Sequence, residues 1–95
     1  MRIEWDDDKN RINLGKHKIS FEVARLVFDD PYARNAPDRV LEGEERWQTL
    51  GSVRGVLIVV AHTFWEEERE LVIRIISARK ATPAERRAYV NEEPG

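Results

Sequence analysis

Three consecutive strand patterns, separated by short turns, limit the possible folds of this chain more than any other feature. Strands are expected at residues 46–53, 56–65 and 70–78, where aliphatic and β-branched side chains are concentrated. The turns between them are Arg54–Gly55 and the acidic stretch Glu66–Glu68. Strands so close in sequence form an antiparallel meander, which needs helices on one face to bury its apolar side chains.

Helix signals precede the meander. Residues 2–5 indicate a brief strand, and Asp6 or Asp7 then caps a helix that runs to about His17. Ser20 caps a second helix, which ends at the next proline. Both helices are expected to pack on the sheet.

A third helix follows the meander. Thr82 is its cap, Pro83 occupies its first position and Glu85 completes a capping box, so the helix should extend to about residue 92. Residues 32–45 are polar and indicate a loop with at most one short strand. The predicted fold is α+β, a single domain over residues 1–95. It has a mainly antiparallel sheet of about four strands, two N-terminal helices on one face and a C-terminal helix.

The last strand carries an arginine inside an apolar run. Alternation puts Leu71, Ile73 and Ile75 against the helices. It puts Val72, Arg74 and Ile76 on the opposite face. Arg74 is therefore expected on an open face, where it avoids the cost of burying an unpaired guanidinium. The same alternation puts Arg79 with the helix-side set, but a bulge or turn near the strand end leaves its direction open.

Composition narrows the function classes. The net charge of −2 argues against a general nucleic-acid coat, whereas residues 74–87 hold five cations and one acid, so the positive charge is local. The absence of cysteine excludes disulfides and thiolate zinc sites and ties the chain to no oxidising compartment, so a cytoplasmic protein is expected. The longest apolar run, residues 56–61, is too short to span a bilayer, so no membrane partner is expected.

Several ordered motifs resemble one known family. The segments EWDDDKN, NLGKHKISFEVARLVFDD and RIISARKATPAERRAY are similar to the BrnT family of bacterial toxins, within the wider RelE-like ribonuclease superfamily. The resemblance covers about residues 3–89. One departure is Lys18, which stands where the family commonly has glycine.

The resemblance implies a function and partners. It implies a RelE-like domain acting as the toxin of a type II toxin–antitoxin module, which cleaves RNA without a metal or another cofactor and so inhibits translation and growth. A BrnA-type antitoxin would neutralise it, and operator DNA would be reached only through the antitoxin complex.

Metal-free RNA cleavage needs a base, an acid and fixed positive charge at the phosphate, because the 2′-hydroxyl is the nucleophile. Arginine suits the last task, since its planar fork matches phosphate. The predicted catalytic residues are Arg74, Arg79, His17, Lys16 and Tyr89. The predicted RNA-binding residues are Arg46, Lys80, Arg86 and Lys9.

Each of these residues also has a purely structural interpretation. In that interpretation Arg74 is a cross-strand ion-pair partner, Glu85 is a capping residue and His17 is a charge at a helix end. The two histidines are isolated, so no metal site is predicted. The alternative function is a non-catalytic RelE-like binding or regulatory module that acts through protein or DNA contacts, and an RNA-cleavage assay distinguishes the two.

Overall fold

The secondary structure of this computed structural model, which describes residues 1–41 and 43–91, consists of strands and short helices. In chain order they are β1 (Arg2–Trp5), α1 (Asp7–His17), α2 (Phe21–Ala24), a 3-10 helix (Arg25–Asp29), β2 (Arg34–Leu41), β3 (Glu44–Val53), β4 (Val56–Glu67), β5 (Glu70–Lys80) and α3 (Pro83–Asn91). The α+β class predicted from the sequence is confirmed.

All five of these strands form one sheet in the order β1-β5-β4-β3-β2. Strands β3 to β5 form the predicted antiparallel meander, β2 pairs antiparallel with β3, and β1 pairs with β5 in parallel. The β3–β4 and β4–β5 turns have positive φ at their two central residues, Arg54–Gly55 and Glu68–Arg69. This conformation matches the twist of the flanking strands and keeps the hairpins short.

The sheet has one strand more than the four predicted, and the segment predicted as a loop with one short strand at most holds a strand of eight residues. Strand β2 lies there and pairs with β3, and its register shifts between Pro37 and Val40. β2 is an edge strand, and an edge tolerates proline, charges and a bulge because one side of the strand needs no partner. The same features remove the apolar alternation that would have indicated a strand.

The core lies between the sheet and the segment formed by α2 and the 3-10 helix. Ser20 caps α2 as predicted, and Phe21, Ala24 and Val27 are fully buried. The contact with β3 is close, because a Cβ atom on Gly51 would lie 2.9 Å from Cβ of Val27. The second helix is thus one α-helical turn continued as a 3-10 helix, and it covers only part of this face.

Helix α1 was expected on the same face but lies at the edge of β5. Its Asp6 cap is as predicted, and its buried side chain is Asn13, which is 5% exposed. Nδ2 of Asn13 donates to the carbonyls of Ile19 and Ala78, both at 2.9 Å, and Oδ1 accepts from the Ala78 N–H at 3.0 Å. β1 ends opposite Ile75. Beyond that point the Asn13 carboxamide forms the hydrogen bonds with the backbone of β5 that a continued β1 would form.

A β-bulge interrupts β5. Ile75 is opposite His62 and Ser77 is opposite Ala61, so Ile76 is an extra residue that has no partner in β4. The predicted alternation therefore fails at Ile76. Ile75 is buried in the core against the helices as predicted, whereas Leu71, at 43% exposure, extends beyond the part of the face that the helices cover.

Helix α3 begins with the predicted capping box. Oε1 of Glu85 accepts the Thr82 N–H at 2.8 Å, and Oγ1 of Thr82 accepts the Glu85 N–H at 3.2 Å. None of the residues that the structure describes in α3 is buried. The predicted helix end at residue 92 lies outside the described residues.

Candidate functional site

Arginines from several strands share the sheet face that points away from α2. Facing residues of paired strands project to the same side, and successive residues point to opposite sides. Ile75 and Val60 point into the core. The residues adjacent to them along β5 and β4, and the residues paired with those neighbours, therefore point to the other face. This surface, here called the arginine face, contains Arg34 of β2, Arg46 of β3, and Arg74 and Arg79 of β5.

Arg74 is the most available of these cations. Its side chain is exposed, and within the described residues it makes neither a hydrogen bond nor an ion pair. Glu4 is its neighbour on β1, but the Glu4 carboxylate lies 4.0 Å from Nε of Arg2. The Arg74 guanidinium therefore presents its donors to solvent and can take an anion in a bidentate manner.

Next to Arg74 in the sheet are two polar groups with unmet hydrogen-bonding capacity. Thr63 is opposite Arg74 and is 4% exposed, and its Oγ1 has no hydrogen-bond partner among the described residues. One further step along the β3–β4 register places Arg46 beside Thr63, and Nε of Arg46 is likewise buried without such a partner. Oε1 of Glu44 lies 4.0 Å from this Nε. Buried polar atoms are normally paired, so this row of the sheet suits a polar ligand.

Arg79 already holds an anion from its own chain. Its Nη1 and Nη2 donate to the two carboxylate oxygens of Glu85 at 2.7 and 2.9 Å. The hydrogen bonds from Arg79 lower the pKa of Glu85 to about 2, and the same bonds raise the pKa of Arg79. The sequence left the direction of Arg79 open, and the bulge at Ile76 places it on the arginine face with Arg74.

Three of the predicted residues line one groove beside the arginine face. Lys9, Lys16 and His17 project from α1 and, with Ile76 and Ser77 of β5, border a space of about 250 Å³. Ser77 belongs to the arginine face, so the groove opens onto it between Arg74 and Arg79. Asn13, which shares the α1 face with these cations, is buried and bonded to the backbone, so it supports the groove.

Tyr89 lies elsewhere. Its hydroxyl donates to Oδ2 of Asp30 at 2.7 Å, and the same carboxylate accepts the N–H groups of Ser52 and Tyr32 at 2.8 and 2.9 Å. Burial would raise the pKa of Asp30, but the hydrogen bonds from Tyr89, Ser52 and Tyr32 outweigh it and lower that pKa. Tyr89 therefore tethers α3 near the β3–β4 turn, away from the row that contains Arg74.

Two other predicted RNA contacts are also separate from that row. Lys80 pairs in register with Ile58, whose side chain belongs to the core, so Lys80 leaves the arginine face at the end of β5. Arg86 lines a shallow depression on α3 together with Arg87 and Val90. The structure therefore brings together Arg46, Arg74, Lys9, Lys16 and His17, with Arg79 beside them.

Sequence reasoning missed two members of the arginine face. Arg34 fell inside the segment interpreted as a loop, and no local pattern marked it. Thr63 alternates with Trp65 in β4, and it could have been found from the expected pairing of β4 with β5, which puts it opposite Arg74. Over residues 1–41 and 43–91, no three histidine or carboxylate side chains cluster in a way that could hold a metal ion.

Comparison with known proteins assigns a family. The model of the family described as "Ribonuclease toxin, BrnT, of type II toxin-antitoxin system" matches residues 5–85. No curated protein matches the sequence. None of the helices in the described part of the chain has the length and apolarity that a membrane span requires. Since the family match runs from the last residue of β1 through the first turn of α3, and thus includes Arg34, Arg46, Arg74 and Arg79, the chain belongs to the BrnT family of ribonuclease toxins of type II toxin–antitoxin systems.

Proposed function

We propose that this protein is a metal-independent endoribonuclease whose substrate phosphate binds at Arg74 on the arginine face. The observation that carries the proposal is the exposed guanidinium of Arg74 beside the buried hydroxyl of Thr63, since neither has a hydrogen-bond partner within residues 1–41 and 43–91. A phosphate there would accept hydrogen bonds from Arg74, Thr63 and Arg46. These donors are held by three adjacent strands, which fixes their positions before the substrate arrives.

The proposed reaction is attack of the ribose 2′-hydroxyl on the adjacent phosphorus, with loss of the 5′-oxygen of the next nucleotide. Arg74 stabilises the additional negative charge of the transition state. His17 and Lys16 stand across the groove that opens at Ser77, and they are the candidates for moving the protons. Imidazole can both accept and donate a proton near neutral pH, which favours His17.

Arg79 is proposed as a second phosphate contact that competes with Glu85. The carboxylate of Glu85 occupies the two donors that a phosphate would use. An RNA phosphate must therefore displace Glu85 or share the guanidinium with it. Lys9 is proposed to contact flanking phosphates from α1, whereas Lys80, Arg86 and Tyr89 would take part only if RNA extends past the strand end.

The natural partner is proposed to be a BrnA-type antitoxin that covers the arginine face with an acidic segment and itself binds the operator DNA. The support is electrostatic complementarity, together with the way α3 is held, since it buries no described side chain and can be displaced. In a cytoplasmic setting the free toxin would then act on RNA.

Cleavage of RNA by Arg74→Ala tests the catalytic part. We expect a loss of about 10²-fold or more in rate, with an unchanged thermal midpoint, because the Arg74 side chain makes no hydrogen bond or ion pair with the described residues. Arg25→Ala is the matched control, since Arg25 is an exposed arginine on the 3-10 helix and should cut normally. Cleavage should persist in excess chelator. Normal cleavage by folded Arg74→Ala would place the active site elsewhere, and RNA binding without cleavage by the wild type would favour the non-catalytic alternative.

Thr63→Val tests the contribution of the Thr63 hydroxyl separately from that of Arg74. This change removes the hydroxyl at nearly constant shape, so we expect equal or slightly greater stability together with a loss of about tenfold in cleavage.

The antitoxin part is tested by co-expression with the adjacent gene. We expect relief of growth arrest and co-purification at moderate salt, and failure of both would contradict the partner.

A further inference from the structure

A second concave site lies on the opposite side of the sheet from the arginine face. Here α2 and the 3-10 helix leave the far end of β3, β4 and β5 uncovered, and Phe64 and Leu71 are 46% and 43% exposed. The space there has a volume of about 220 Å³. This aromatic pocket is lined by Phe28, Trp47, His62, Phe64, Leu71 and Ile73.

The walls of the aromatic pocket are fixed by contacts among its own rings. The Trp47 and Phe64 centroids are 5.5 Å apart, and Phe28 meets His62 edge-on with centroids at 5.1 Å. A dry apolar cavity of about 150 Å³ is known to hold benzene. The aromatic pocket is therefore large enough for one aromatic side chain, and it is already shaped without a ligand.

A buried histidine in the wall has an unused hydrogen-bonding atom. His62 is 4% exposed, its Nε2 lies 2.7 Å from Oγ1 of Thr49, and that hydroxyl donates to Oδ1 of Asn35. Because the Thr49 hydrogen is directed to Asn35, Thr49 must accept from His62, so Nε2 carries the proton and Nδ1 is an acceptor. Nδ1 has no hydrogen-bond partner in the described residues. Burial lowers the pKa of His62, which keeps the ring neutral at pH 7.

The rim of the aromatic pocket is acidic. Glu66 is opposite Leu71, and Glu45 is two residues before Trp47, so both belong to the same sheet face as the pocket. Both carboxylate side chains are exposed. This charge repels the phosphates of RNA and attracts a cationic ligand.

We propose that the aromatic pocket is a docking site for a tryptophan or tyrosine side chain presented by a basic segment of a protein partner. The side chain enters between Trp47, Phe64 and Leu71, and its N–H or O–H donates to Nδ1 of His62. Lysine or arginine residues on either side of it face Glu45 and Glu66. The contact does not involve the arginine face, so it does not depend on the ribonuclease proposal.

The probe is the peptide Ac-Lys-Lys-Trp-Lys-Lys-NH2, observed by NMR titration of the full-length chain. We expect it to bind at least tenfold more tightly than Ac-Lys-Lys-Ala-Lys-Lys-NH2 and to move the His62 Nδ1 resonance. A peptide with 1-methyltryptophan, which lacks the indole N–H, should bind more weakly and leave Nδ1 unchanged. Equal affinities for the Trp and Ala peptides would overturn the proposal, because only charge would then be recognised.

Surface variants locate the site without threatening the fold. Leu71→Gln should weaken the Trp peptide at least tenfold, whereas Val56→Ser, at an equally exposed apolar position of β4, should leave it unchanged. Peptide-induced shifts confined to the arginine face would overturn the proposal. So would binding of a single-stranded ribo-oligonucleotide in the aromatic pocket, or concentration-dependent self-association lost in Leu71→Gln, since these identify RNA or a second copy as the occupant.

Discussion

Helices α1 and α3 both flank β5, but they are held by different kinds of contact. Asn13 attaches α1 through three hydrogen bonds to buried backbone groups. Attachments of α3 within the described residues include the Arg79–Glu85 pair and the Tyr89–Asp30 hydrogen bond, both between partly exposed side chains. Because water can replace the partners of α3 but not those of α1, α1 belongs to the cooperative fold and α3 can separate from it at lower cost.

The largest effect is expected at the α1 attachment. Asn13→Ala leaves an N–H and two carbonyls without partners, so we expect a loss of about 3–5 kcal/mol in the free energy of unfolding, measured by urea denaturation. Ile12→Ala is the control, since Ile12 is 65% exposed on the same helix and should change stability by about 0.5 kcal/mol or less. Equal losses in the two variants would mean that Asn13 has no special part in attaching α1. The contrast between α1 and α3 would then not hold.

A smaller and local effect is expected at the α3 attachment. Glu85→Gln keeps an oxygen for Thr82 but loses the charge that binds Arg79. After solvent screening we expect a loss of about 1–2 kcal/mol, confined to α3. Amide hydrogen exchange in α3 should then accelerate about 5- to 30-fold while the sheet is unchanged. Glu68→Gln at the hairpin tip is the control, and a matching acceleration in the sheet would show that α3 is part of the cooperative unit.

The same pair predicts a pH dependence for α3 alone. The pKa of Glu85 is lowered in the fold from 4.5 to about 2, so its contribution is fully present above pH 4.5 and is lost as the pH falls through about 2. Amide protection of α3, corrected for intrinsic exchange, should be constant from pH 7 to about 5 and should fall at lower pH. In Glu85→Gln this dependence should be reduced to the part due to Asp30, whose pKa is also lowered and which accepts the hydrogen bond from Tyr89 of α3.

The smallest effect concerns the end of α1. Lys18 closes the helix with φ of +61°, a conformation that costs a residue with a Cβ about 1–2 kcal/mol. Lys18→Gly should therefore raise the free energy of unfolding by about 0.5–1 kcal/mol, after the greater freedom of glycine in the unfolded chain is counted. Lys16→Gly, inside the last turn, should lower it by about 1 kcal/mol. A loss in both variants would mean that the left-handed cap is not strained.

Local chemistry explains which parts of the fold could be predicted from the sequence. Asp6, Ser20 and Thr82 cap helices because each oxygen reaches an N–H two or three residues ahead, and that spacing is visible in any short window. The departure at Lys18, where the family commonly has glycine, is also explained locally. Lys18 is the left-handed cap of α1, a conformation that suits glycine.

Contacts between distant residues explain what could not be predicted. Asn13 and Ala78 are 65 residues apart, so a helix-surface pattern could not show that this amide completes an edge of the sheet. The Arg79–Glu85 pair was hidden by the capping box, which already accounted for Glu85. The availability of Arg74 was anticipated from alternation alone, but its catalytic role and those of Lys16 and His17 stay predictions until cleavage is measured.

The bulge at Ile76 decides how many charges a single face of the sheet can collect. Arg74 and Arg79 are five positions apart, an odd number, and an uninterrupted strand sends residues at odd separations to opposite sides. The extra residue absorbs one position and restores even parity, so both guanidiniums reach the same side. A change of one residue in the length of this segment would therefore divide the arginine face while leaving the composition and net charge of the strand almost intact.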